Sequence, residues 1–528
     1  MRPYPRASTR PLSVFAFDPS LGGTSGSRMT LSVPYEELKP GPIGRKLAVV
    51  DYDASNDAWY EPVDLDEPHV LLRNGLDPSE ADPRFHQQMV YAVASETIRR
   101  FEFALGREVK WRHRRNRARS RLRIFPHAFQ QANAFFDADL NALLFGYFAA
   151  DPEDAGSALP SQTVFTCLSH DIVAHETTHA IIHSLRGHFL EQTSLDPPAF
   201  HEAFADIVAL FQHFSVKEAL TETVRRTGGD LHRGALRPRL GTGNGREEGL
   251  IGVELAEANP LVGLARQFGD AIGTRKALRE ALGKPADPKL LSVTTEPHER
   301  GSILVAAVFD AFFGVYIQAT RPLMRVAFAG GAVGANGDLH PDLVDMLAEQ
   351  AAKIAERFLT ICIRAIDYCP PVDIQFGEFL RALITADMTL VAEDPHGYRA
   401  ALISAFRRRG IVPEGVASYA EESLSWRGPA DRGQPLPPLE GLDFDTLTET
   451  TDKAVEQNAK RASRNAVLLN RARPSRYRRI PEADGSAVRR SIPAPRRRRR
   501  DRARERHQTL PRSVAGDARR LAVGDHRR

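Results

Sequence analysis

Hydrophobic and polar positions change their period several times along the chain. Over residues 1 to about 85, short apolar runs ("LSVFAFDP", "MTLSVPY", "KLAVVDYD") are cut by Pro, Gly and Asp, which predicts short strands and turns. The stretch "FHQQMVYAVASETIRRFEFAL" (85–105) switches to a helical period, with Phe85, Met89, Val90, Val93, Ile98, Phe101 and Phe103 on one broad face. A basic run (110–123) follows. "LRIFPHAF" then reads as a strand, and "NAFFD" and "ALLFGYF" flank the turn-like "ADLN" as a hairpin. Two helices come next, one holding "DIVAHETTHAIIH" (171–183) and one reading "PPAFHEAFADIVALFQHFS" (197–215), with prolines at its start. From 216 to about 290 the pattern loosens around a Gly- and Arg-rich stretch (227–250), and from 301 it is mostly helical.

These changes divide the chain into a β-rich segment (1–84), a segment with two polar-marked helices (85–215), an insertion (216–297), a helical segment (298–425) and a Pro/Arg-rich tail (426–528). The fold class expected is α+β, and we find no internal repeat. The 528 residues suffice for a large core, and 42% hydrophobic with 26% charged residues is the balance of a soluble globular chain. No apolar run is read as a membrane span, and the basic N-terminus lacks the apolar core of a secretion signal, so a cytoplasmic protein is expected. Cys167, Cys362 and Cys369 are too few for a disulfide framework and read as small buried hydrophobes. The net charge of +4 conceals an asymmetry: from Lys460 onward there are 23 Lys and Arg against 6 Asp and Glu, leaving the first 459 residues at −13.

The chemistry concentrates in "HETTH". Residues four apart on an α-helix share a face, so His175 and His179 present two imidazoles to one point, with Glu176 beside it as a general base. A zinc ion needs a third ligand. Leu185 and Ile182 occupy the places of a downstream His and Gly, which excludes the H-x-x-G-x-x-H arrangement. His183 lies ~12 Å along the helix from His175, too far to share an ion. "HEAFAD" supplies the alternative: Glu202 as ligand, and Asp206, one turn on, as hydrogen-bond acceptor from a ligand imidazole.

"HETTHA" followed by "EAFADI" resembles the thermolysin-type zinc metallopeptidases. "NAFFDADLNALLFGYF" is similar to that family's edge strand and hairpin, and "EPHERGSILVAAVFDAF" to the segment in which a His precedes a long helix. The resemblance spans about 125 to 412 discontinuously. It implies a zincin-like two-lobe fold, in which a β-rich N-terminal lobe with the active-site helix precedes an α-helical lobe. It also implies Zn2+ as cofactor and hydrolysis of peptide bonds by a Glu-assisted water. It assigns Asn133 and Ala134 to the backbone of a peptide or protein substrate, and His298 to stabilising the transition state. The chain departs from the family in lacking a Tyr between His179 and Glu202, and its calcium-site acids are not recognisable.

Two other readings stay open. One is a zinc-stabilised scaffold without activity, although a structural site has no need of Glu176. The other concerns the tail, where "RRRRRDRARERH" (496–507) attracts polyanions, nucleic acid included, without specificity. Tyr477 is its only aromatic residue, which leaves almost nothing to stack on bases, and a disordered or out-of-frame extension is the plainer account.

Overall fold

Strands β1 (Thr9–Phe15) and β2 (Arg28–Pro34) pair antiparallel, Thr9 opposite Pro34 and Phe15 opposite Arg28. β2 alternates exposed and buried at every position, as the period of "MTLSVP" requires. The computed structural model of the protein describes residues 7–16, 18–19, 28–111, 121–153, 159–217, 220, 221, 224, 286–330 and 339–426. These belong to one compact unit (Met1–Trp111, Ala118–Trp426 and Asp517–Arg528). The second unit, Arg112–Arg117 with Arg427–Gly516, lies outside the described residues, as do the Gly/Arg-rich stretch 227–250 and the basic run's centre, 112–120.

The architecture is mixed α and β. β3 (Leu47–Val49), β6 (Leu122–Phe129), β8 (Ala142–Ala149) and β7 (Ala134–Asp137) lie side by side in that order, and β9 (Thr163–Phe165) also pairs with β8. The β3–β6 and β6–β8 pairs are parallel, while β7 and β9 run antiparallel to β8. β4 (Tyr52–Asp53) and β5 (Ala58–Trp59) make a separate two-stranded ribbon. The expected hairpin is therefore present, and it leaves β7 at the edge of the sheet.

Helix α1 (Pro68–Leu72) is short, whereas α2 (Pro83–Leu105) is framed by local chemistry. Asp82 caps its first turn through the Arg84 N–H, Pro83 sits at the first helical position, and Gly106 ends it at φ 67°. Phe85, Met89, Val90, Val93, Ile98 and Phe101 are buried as the periodicity predicts. Phe103 is not: it is 72% exposed, because the face it shares turns to solvent in the last turn.

α3 (His170–Leu185) and α4 (Asp196–Phe214) pack on each other, and α4 is enclosed further by α6 (Pro297–Ala329) and α7 (Pro341–Ala365). A short α5 (Leu290–Val293) precedes α6, and α8 (Phe376–Leu390), α9 (Tyr398–Arg408) and α10 (Glu421–Leu424) follow α7. An aromatic seam of Phe200, Phe204, Phe211, Phe214, Phe309, Phe312 and Phe358 fills the space around α4. All three cysteines are buried.

Pro297–Ala327 is long and apolar enough to cross a bilayer by length and composition, although most of its apolar window is buried inside the protein. Asp310 interrupts this apolar run in sequence, and in the fold it is paired with buried Arg409 at 2.8 Å.

Candidate metal centre

α3 begins where Ser169 accepts the Ile172 N–H, and Thr177 and Thr178 donate to the carbonyls of Val173 and Ala174. The threonines of "HETTH" are thus satisfied within the helix, which leaves the histidines and Glu176 as the side chains with chemistry to spare. α3 is buried almost all round, so its polar residues face other protein groups rather than water.

Those groups come from α4. His175 Nε2 and His179 Nε2 are 2.8 Å apart, and Glu202 Oε2 lies 3.6 and 3.5 Å from them. Donors on tetrahedral bonds of ~2.05 Å stand ~3.3 Å apart, and the three distances bracket that value. Behind His175, Asp206 Oδ1 sits 2.8 Å from Nδ1, close though not aligned as a hydrogen bond. The electrostatics describe a cationic hole. Burial alone would lower His175, but Asp206 and Glu202 outweigh it and hold it well above the usual imidazole range. Burial likewise disfavours the Glu202 carboxylate, yet the charge of His179 and hydrogen bonds from both histidines hold it well below its ordinary value. Two imidazoles and one carboxylate thus face one point, a donor set that a metal cation fits.

Glu176 is buried on the same face. Burial raises its carboxyl above the ordinary value against the pull of His175 and His179, and the backbone of Phe136 in β7 hydrogen-bonds to it. Glu176 is therefore fixed between the two histidines and the edge strand. Ala134 opens that strand and Asn133 precedes it. The Ala134 N–H donates to Asn133 Oδ1 at 3.0 Å, and the Asn133 carbonyl accepts from Gly146 at 2.9 Å.

His298 reaches the cluster from the first turn of α6, with Nε2 3.7 Å from Glu202 Oε2. Glu296 positions it: Oε1 lies 2.8 Å from His298 Nδ1 while Oε2 accepts the Glu299 N–H as helix cap. Arg300 anchors this turn to α4, donating to Asp196 at 2.6 Å and to the carbonyls of Leu291 and Thr294. His298 stays half-exposed and Glu202 partly so, which gives the cluster its side toward solvent. Two clefts, of about 420 Å³ beside Arg10 and about 470 Å³ beside His86 and His127, take no lining from these residues.

The structure thus brings His175, His179, Glu202, Asp206, Glu176 and His298 together, with Asn133 and Ala134 at the start of the neighbouring strand β7, and His183 stays outside the donor triangle, its ring against Phe136. Three features were not anticipated. His201 stacks on His179 with ring centroids 4.5 Å apart and planes 8° from parallel, which fixes that imidazole's orientation. Asp171, one turn before His175, lies 2.9 Å from His213 Nδ1 and 3.3 Å from His170 Nδ1, clasping α3 to the far end of α4. The partners His86, His127 and Cys167 form a separate cluster. The i, i+4 pairing of "HETTH" is visible in sequence, whereas these groupings exist only once helices and strands pack. Compared with models of protein families and with curated proteins, the chain matches none.

Proposed function

We propose that the protein is a zinc-dependent metallopeptidase of the thermolysin type, with the zincin-like two-lobe fold that its motif order suggests. The observation that carries this reading is the convergence of His175, His179 and Glu202, with Glu176 held between the donors and the open edge strand β7. Two imidazoles and one carboxylate suit zinc and leave a coordination position for chemistry.

His175, His179 and Glu202 would hold the ion, with Asp206 fixing the tautomer of His175. Zinc bound there supplies a Lewis acid that polarises a carbonyl and acidifies water. Glu176 takes the proton from the attacking water and returns it to the leaving amine. His298, oriented by Glu296, donates a hydrogen bond to the oxyanion that develops on the substrate carbonyl. The edge of β7 that pairs with no strand among the described residues aligns an extended peptide or protein segment by strand addition. At its start the peptide displaces Asn133 Oδ1 from the Ala134 N–H, freeing the Asn133 amide for the substrate backbone.

The absence of a Tyr between His179 and Glu202 favours one alternative, a metal-holding scaffold that cuts nothing. Cleavage of a casein substrate, stopped by a chelator, separates the two. Glu176→Gln should keep the metal and lose about 10²- to 10⁴-fold in turnover. A variant as fast as the wild type overturns the mechanism. His298→Ala should lower kcat far more than metal content, and equal loss of both would make it structural.

A further inference from the structure

A second cluster of metal-type donors lies apart from the one just described. His86 stands in the first turns of α2, His127 on β6 where its register with β8 shifts between Phe125 and Phe129, and Cys167 in the 3-10 turn Thr166–Leu168 before α3. All three are buried, at 1%, 1% and 0% exposure, and one ligand atom from each lies within 4.8 Å of the other two.

Proton accounting distinguishes this cluster from an ordinary buried network. His86 Nε2 lies 3.0 Å from the carbonyl oxygen of Glu80, which can only accept, so that nitrogen carries the hydrogen. His127 Nδ1 lies 2.7 Å from Asp51 Oδ1, and Asp51 Oδ2 takes a hydrogen bond from Gln87, so Nδ1 also carries a hydrogen. The two remaining nitrogens, His86 Nδ1 and His127 Nε2, then face each other at 2.8 Å with a lone pair each. Two lone pairs at that separation repel unless a cation lies between them. The separation equals that between the Nε2 atoms of His175 and His179.

We propose that His86, His127 and Cys167 form a second metal site, for a thiophilic transition-metal ion of the zinc class. The outer nitrogens are tied to a carboxylate and a backbone carbonyl, as the free nitrogens of metal-bound histidines usually are. A thiolate with two imidazoles selects zinc, cobalt or copper over magnesium and calcium. Tetrahedral coordination places sulfur ~3.6 Å from each nitrogen, so Cys167 needs at most a small side-chain adjustment to close the triangle. Phe165 and Tyr60 wall the rings, with Phe165 4.7 Å from His86 and Tyr60 4.8 Å from His127. The cleft of about 470 Å³ bounded by Tyr60, Glu80, His86, His127, Gln162 and Phe165 gives an ion its way in and a fourth ligand its place. Such an ion would cross-link α2, β6 and the turn that leads into α3. The competing occupant is a proton shared by the histidines and balanced by Asp51.

The test is Co2+ titration of the full, metal-stripped chain, read by absorbance. The wild type should take up two equivalents, one of them with a thiolate-to-cobalt charge-transfer band in the near ultraviolet. Cys167→Ser should lose the band and one equivalent, whereas Glu202→Ala should keep the band and lose the other. A folded wild type without the band, or a band that survives in Cys167→Ser, overturns the proposal. The wild-type reading needs no variant to fold. A wild type that takes up only the band-forming equivalent would count against the peptidase site and leave this one standing.

Discussion

Gly301 sits where α6 crosses α4, one turn after His298, and a Cβ added there would lie 2.8 Å from the Ala199 carbonyl oxygen, 3.4 Å from the Ala203 nitrogen and 3.5 Å from the Ala203 Cβ. Gly301→Ala therefore sets two effects against each other. Alanine is worth up to ~1 kcal/mol over glycine within a helix, and less in a first turn. Overpacking against a helix backbone costs ~1–3 kcal/mol, because the oxygen contact must open by about 0.5 Å to become ordinary. Packing should win, for a net loss of about 1 kcal/mol. The functional consequence should exceed the structural one. α6 carries His298, 3.7 Å from Glu202, and a 1 Å misplacement of a catalytic group costs ~10²-fold, so about half that shift predicts a roughly tenfold drop in kcat. Neither metal ligand helix bears the substitution, so zinc content should not change. The assay pairs urea unfolding with casein cleavage and metal analysis on the same preparation. A variant that is more stable than the wild type, or one that loses stability at unchanged kcat, would refute the claim that close packing of α6 on α4 places His298.

Asp206→Asn keeps the volume beside His175 but removes the charge 2.8 Å from Nδ1, and competition with a chelating dye should show zinc bound about 10- to 100-fold more weakly; unchanged affinity would deny Asp206 a role. Asp171 tests the clasp between α3 and α4. Burial would raise its carboxyl, but the charge of His213 and hydrogen bonding to His170 and His213 bring it from 3.8 to about 2. A lowered carboxylate pKa contributes stability that is fully present above the unfolded value and is lost as pH falls from about 4 to about 2, here about 2 kcal/mol. Denaturant unfolding of Asp171→Asn should therefore show lower stability at neutral pH and a flatter acid limb over that window; an unchanged slope would count against the pair.

How far the sequence foretells this molecule depends on the range of each interaction. The helices beginning at Pro83, Asp196 and Pro341 are announced by residues within one turn of their ends, and the β7–β8 hairpin by the turn between its strands. The ligand pair His175 and His179, and the pair Glu202 and Asp206, are each set by a single helical turn, so their shared faces are legible. That the two faces meet depends on α3 packing against α4, which the spacing suggests only through resemblance. Glu296 and Glu299 lie two residues before and one after His298, and sequence alone does not choose between them; the choice of Glu296 follows from its place as helix cap, where one carboxylate oxygen is left for the imidazole. His86, His127 and Cys167 belong to a helix, a strand and a turn that meet only in the folded chain, and no period connects them. Cys167 read alone is a small buried hydrophobe. The apolar run of α6 is interrupted by Asp310, whose pairing with Arg409 arises only when α9 packs nearby.

Zinc per chain in the wild type, in Glu202→Ala and in Cys167→Ser tests most directly whether His175, His179 and Glu202 hold one ion. Glu202→Ala should lose about one zinc relative to the wild type, and Cys167→Ser should retain this zinc together with its casein-cleaving activity. Correctly folded wild type with no zinc dependent on Glu202 would contradict it, and "HETTH" would then be a buried helix whose histidines and acids pair only with one another.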